Sequence, residues 1–135
     1  MAVQLSVAVR NARLDAIETS IGTSAVLKIR TGAAPATCAT ADSGTVLATL
    51  NLPTDWMAAA SSGSKSKSGT WEDLTADNTG TAGHFRVYAS DGTTCGIQGT
   101  VTATGGGGDM TLDNTSIASG QAVSITTFTL TDANS

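Results

Sequence analysis

Five aromatic residues in 135 is a small number, and charged side chains make up only 13% of the chain. A hydrolase groove needs aromatic walls and paired acids, so this composition weakens most enzyme readings. Only seven Lys and Arg stand against eleven Asp and Glu, a net charge of −4, and no basic residue follows Arg86. Binding to a phosphate backbone needs clustered cations and is not expected. No apolar run approaches the roughly 20 residues of a membrane span. Arg10, Arg13, Asp15 and Glu18 interrupt any signal-peptide core in the first twenty residues. The expectation is therefore a protein folded in a reducing cytosol. Two cysteines, Cys38 and Cys95, are too few for a disulfide scaffold or a structural zinc site. In that compartment two free thiols are favoured over a single bridge.

What is abundant is small and polar. Gly, Ser and Thr together number 52, and Ala adds 21. That density, with Thr leading, favours strands and turns. The length fits one domain, residues 1–135, able to bury roughly two-thirds of its extended-chain surface.

The segment Leu5–Ile21 reads as a helix closed by Gly22. Leu5, Val9, Ala12 and Ala16 recur on one side, and Val7, Leu14, Ile17 and Ile21 on nearly the other. Two stripes point either to contact on two sides or to an Ala-rich side tolerated in water. From 25 to 131 the pattern is β. Strands are expected at Ala25–Arg30, at Thr45–Leu52 and in Trp56–Ala60. Thr31–Ser43 is a long loop, and Ser61–Ser68 is a turn carrying Lys65 and Lys67 in solvent. The clearest hairpin turns at Asp91-Gly92. It puts Phe85 and Val87 on one face and His84, Arg86 and Tyr88 on the other, solvent-facing, side. The phase shift between Val123/Ile125 and Phe128/Leu130 predicts a bend near Thr126-Thr127, as in a strand crossing between two packed sheets. The fold expected is a mainly antiparallel β-sandwich, jelly-roll-like, with one N-terminal helix.

Catalytic and cofactor motifs do not assemble. His84 has no orienting third group with Cys95. Gly105–Gly108 lacks the Lys-Ser/Thr of a phosphate loop and leads into Asp109. Neither Glu72/Asp73/Asp77 nor Asp109/Asp113 has calcium-loop spacing. Asn114-Thr115-Ser116 matches a glycosylation acceptor, a chance match without a secretory route. No catalytic residue, cofactor or metal is expected.

Three segments carry a resemblance: AVRNARLDAIETSIGTSAVLKIRTGAAP, DWMAAASSGSKSKSGTW and the stretch from Gly80 to Thr131. Together they resemble small virion proteins encoded beside the major capsid gene of tailed bacteriophages and prophages. The resemblance implies a non-enzymatic capsid cement, or decoration, protein on the outer surface of an icosahedral shell. It further implies the major capsid protein as partner and self-association, a dimer before a trimer. Candidate contacts are Arg10, Arg13, Lys65, Lys67 and Phe128, with core packing as the competing role of Phe128. A second class is a receptor- or carbohydrate-binding β-module of a tail fibre, which would use Trp56, Trp71 and Tyr88.

Overall fold

The computed structural model describes residues 3–132 and is mainly β, with one helix near the N-terminus and a curled, sandwich-like sheet arrangement. Helix α1 spans Val7–Ile21. It starts two residues later than the periodicity suggests because Ser6 is its N-cap, its hydroxyl accepting from the Val9 amide at 3.2 Å. Gly22 closes it at φ 93°, its amide returning to the Glu18 carbonyl.

The strands are β1 (Val26–Thr31), β2 (Val46–Asn51), β3 (Ser64–Ser66), β4 (Trp71–Asp73), β5 (Gly80–Tyr88), β6 (Cys95–Ala103), β7 (Met110–Leu112), β8 (Ser116–Ile117), β9 (Val123–Ile125) and β10 (Thr129–Thr131). The main sheet runs β2-β1-β5-β6-β7, with β8 on the first residues of β5. Two small sheets, β10-β3 and β4-β9, complete the arrangement. The apolar core lies under the main sheet. Leu27 and Ile29 of β1, Leu47 and Leu50 of β2 and Phe85 and Val87 of β5 meet Trp56, Trp71 and Phe128 there. The rings form a chain, Trp56–Trp71 at 6.1 Å, Trp71–Phe128 at 5.6 Å and Phe128–Phe85 at 5.6 Å edge-on.

The predicted bend near Thr126-Thr127 is a change of partner. Val123–Ile125 pairs with β4, and Thr129–Thr131 pairs with β3. Both halves send their apolar residues to the same core, and the phase shift lets them do so from two sheets.

Three local expectations are corrected. Trp56–Ala60 is no strand: Met57 makes one bridge with Lys67, and Trp56 is fully buried in the core. Ser61–Ser68 is more than a tip, because β3 lies within it and buries Lys65. The glycine loop leads into a parallel neighbour, an exception within the mainly antiparallel sheet. β7 lies parallel to β6, with Val101 opposite Met110 and Ala103 opposite Leu112. Parallel neighbours ordinarily need a long crossover, but these paired stretches are three residues each, so the intervening six residues can double back.

Finally, Cys38 and Cys95 are bonded, with Cα atoms 5.3 Å apart across 57 residues of sequence. The expectation of two free thiols followed from compartment alone, whereas pairing follows from proximity that only folding creates. Closing a loop of that length stabilises the fold by about 4 kcal/mol in the chain-entropy account.

Candidate functional site

Both faces of β5 are buried, and the second face is the unexpected one. His84, Arg86 and Tyr88 share it with Lys28 and Arg30 of β1 and Gln98 of β6, as the register places them. The loop after β1, residues 32–44, folds back over this face as a strap. Its backbone carbonyls are met by side chains of the sheet. His84 Nδ1 reaches Gly32 O at 2.9 Å, Gln98 Nε2 donates to Pro35 O at 2.6 Å, and Arg86 Nη2 donates to Thr37 O at 2.9 Å and Thr40 O at 3.0 Å. A loop lying on a sheet face needs such partners for its backbone. Gly83 permits the close approach, since a Cβ there would collide with the Gly32 carbonyl.

Asp42 is the strap's one charged residue. Its Oδ1 accepts from Arg86 Nη1 at 2.8 Å and from the Tyr88 hydroxyl at 2.6 Å, and its Oδ2 lies 3.1 Å from Arg30 Nη2. Burial alone would raise the Asp42 pKa, but the hydrogen bonds from Tyr88 and Arg86, with the charge of Arg30, hold it below the usual carboxylate value. The Tyr88 hydroxyl is pushed up, first by burial and then by its bond to Asp42. His84 is thus fully buried, correcting the solvent-facing expectation, and its Nε2 has no hydrogen-bond partner. This arrangement is structural: the side chains are consumed by the strap. Among the described residues no three His, Cys, Asp or Glu side chains converge as a metal site.

The five candidate contact residues divide. Phe128 is 4% exposed and lies in the aromatic chain, so core packing is its role. Lys65 is 3% exposed. Its Nζ donates to Asp15 Oδ1 at 2.7 Å, and Glu18 Oε2 lies 3.1 Å away, near enough for attraction but off the hydrogen-bond direction. Burial would lower the Lys65 pKa, yet Asp15 and Glu18 raise it. Glu18 is raised by burial, with the neighbouring Asp55 adding to the effect against Lys65. Arg10 is half-buried and donates from Nε to the Asp132 carbonyl at 2.8 Å. Arg13 is 61% exposed and pairs with Asp132 at 3.1 Å. Lys67 is half-buried, donates to Gly69 O at 2.8 Å and stands over the Trp71 ring. Neither Phe128 nor Lys65 is available to a partner, and the cations that remain are already engaged within the chain.

The signal that sequence reasoning divided between two meanings lies on α1. Leu14 is buried, with Ile17 and Ile21 half-buried beside it, so this stripe anchors the helix over its second half, while Val7 at its start is exposed. On the opposite stripe Val9, Ala12 and Ala16 are exposed, with Ala8 beside them, while Leu5, just before the helix, is half-buried. The exposed part presents short uncharged side chains on a rigid element. A cleft of about 390 Å³ runs beside the helix, between Ile17 and Ile21 and the β5–β6 turn at Thr94 and Cys95. A second, of about 500 Å³, separates β6 from β10 above Phe85 and Phe128. No described helix is long and apolar enough to cross a membrane.

No protein-family model, curated protein or solved structure matches this chain.

Proposed function

We propose that the protein is a capsid decoration protein, which binds the outer surface of an icosahedral phage shell and clamps neighbouring major capsid subunits. The observation that carries the reading is the outward face of α1. Ala8, Val9, Ala12 and Ala16 are exposed, while Leu14 fixes the helix from behind. Such a face offers a wide, shallow contact with few rotamers to immobilise. Many weak copies acting in parallel suit that chemistry. The three quoted sequence segments support the same reading. Self-association belongs to the proposal, a dimer first and a trimer second, with copies straddling symmetry axes of the shell. Localisation on the virion exterior follows from the same reading.

The receptor- or carbohydrate-binding alternative needs exposed rings. Trp56, Trp71 and Tyr88 are all buried, so nothing favours it.

The experiment is a particle assembled without this protein. A binder of the closed shell adds its binding free energy to the assembled state. The incomplete particle is expected to lose its DNA at lower temperature and lower chelator concentration than the complete one. Equal resistance overturns the reading.

A further inference from the structure

The Cys38–Cys95 bond joins two parts of the molecule that other interactions already hold together. Arg86 donates to Thr37 O and Thr40 O, the residues one before and two after Cys38, and Asp42 lies two further on. Gln98, three residues after Cys95, donates to Pro35 O. The strap is therefore pinned on both sides of Cys38 from β5 and β6, independently of sulfur. Both cysteines are half-buried, and Cys95 lines the cleft of about 390 Å³ beside α1. A bond between two half-buried cysteines, one of them lining a cleft, differs from a staple sealed in a core.

We infer that the Cys38–Cys95 bond is a redox latch: the strap folds first, held by Arg86, Asp42 and Gln98, and the bond then closes on it and reopens by exchange with small thiols. In closing, one cysteine thiolate attacks a low-molecular-weight disulfide such as oxidised glutathione. A mixed protein–glutathione disulfide forms and one glutathione thiolate leaves. The second cysteine thiolate attacks the protein sulfur of the mixed disulfide and releases the other glutathione. Two protein thiols are oxidised to one disulfide, one small disulfide is reduced to two thiols, and the two protons pass to the departing thiolates. Cys95 takes the first exchange, because the cleft opens on it. A chain made in a reducing compartment would thus fold with its strap already in place and lock when it meets an oxidising medium.

The test uses the whole chain. In the double variant Cys38→Ser/Cys95→Ser, hydrogen exchange is read at the Thr40 amide, which bonds Thr37 O at 3.0 Å, and at the Thr45 amide, which bonds Thr31 Oγ1 at 2.9 Å. Protection is expected to stay within about tenfold of the disulfide form. Loss of protection to the level of an open loop overturns the inference, because the strap would then need the bond. In parallel, the wild-type protein is equilibrated in reduced and oxidised glutathione. Thiols are counted while near-ultraviolet circular dichroism is followed. The expected result is reversible passage between no thiols and two with the folded signal retained. Opening only when the fold is lost, or no opening in native buffer, overturns it. Gln98→Ala, which removes the pin on Pro35 O and the Gln98 Oε1 acceptor of Arg86 but leaves the Arg86–Asp42 pair, should slow closure from the reduced folded state by at least about tenfold, the equivalent of one or more well-made hydrogen bonds. An unchanged closure rate counts against the pre-formed strap.

Discussion

Arg86 Nη1 donates to Asp42 Oδ1 at 2.8 Å across 44 residues of sequence, joining the middle of the longest hairpin to a loop that has no secondary structure of its own. Arg86 is the last cation in the chain, is 2% exposed, and also bonds Gln98 Oε1 and the carbonyls of Thr37 and Thr40. A buried guanidinium tolerates its desolvation when each of its three nitrogens is hydrogen-bonded in this way.

Asp42→Asn should therefore destabilise the protein while leaving Phe85 and Val87 packed. Asp42 is 40% exposed. The expected loss is about 2 kcal/mol, below the ~3–5 kcal/mol of breaking a fully buried ion pair. The urea midpoint measures it. Gly83→Ala should lift the same strap from its root by steric contact with Gly32 O, visible as exposure of Tyr88 to quenchers.

Acid should weaken the fold in a defined window. Asp42 is held low, against partial desolvation, by Tyr88, Arg86 and Arg30. Asp15 is held low by Lys65 and the Ala60 amide. Asp91 is lowered to about 2 by the Thr94 hydroxyl and the Thr94 and Thr93 amides. A carboxylate whose folded pKa is depressed contributes stability that is complete above its unfolded value, about 3.9 for Asp, and is lost as pH falls through the folded value. Urea midpoints should decline from about pH 4 toward pH 2, and Asp91→Ala should flatten the lower end of that decline.

Glu18 runs the other way. Its pKa is raised, first by burial and further by Asp55. Its contribution is present below its unfolded pKa of about 4.3 and is lost as pH rises through the higher folded value. Glu18→Gln should remove that loss, so the variant is expected to be no less stable than the parent at pH 7, with Lys65 still bonded to Asp15. A marked fall in its urea midpoint at pH 7 would contradict this assignment.

Phe128→Ala should cost about 3–5 kcal/mol, the price of emptying an aromatic site in a packed core. Its effect on particle binding should vanish once the variant is compared at a temperature where it is fully folded.

Ala12→Glu and Ala16→Glu test the α1 face. Both positions are exposed, so each substitution should change monomer stability by no more than about 0.5 kcal/mol. Co-sedimentation with shells that lack the protein should fall at least tenfold, as expected when a charge is desolvated in an apolar contact. Undiminished binding would move the contact elsewhere on the surface.

The β class, the helix before it, the long β5–β6 hairpin and the break at Thr126-Thr127 are legible in the order of the residues alone. Each of these is written in near-neighbour alternation, because a pleated strand sorts successive side chains to opposite faces. That alternation placed His84, Arg86 and Tyr88 together correctly, and it placed Phe128 in phase with Leu130. It could not say what covers a face. A row of polar side chains opposite a core ordinarily meets water. Here residues 32–44 return over it, and His84 and Arg86 become interior groups. Lys65 is the same case, a residue of a Ser/Gly-rich stretch that is polar by composition and buried because Asp15 and Glu18 of α1 come to it from 50 and 47 positions away. The Cys38–Cys95 bond and the parallel β6–β7 pair likewise depend on which distant segments become neighbours. Tertiary structure alone decides these, because burial, ion pairing and disulfide closure act through space, whereas helical and strand periodicity act along the chain.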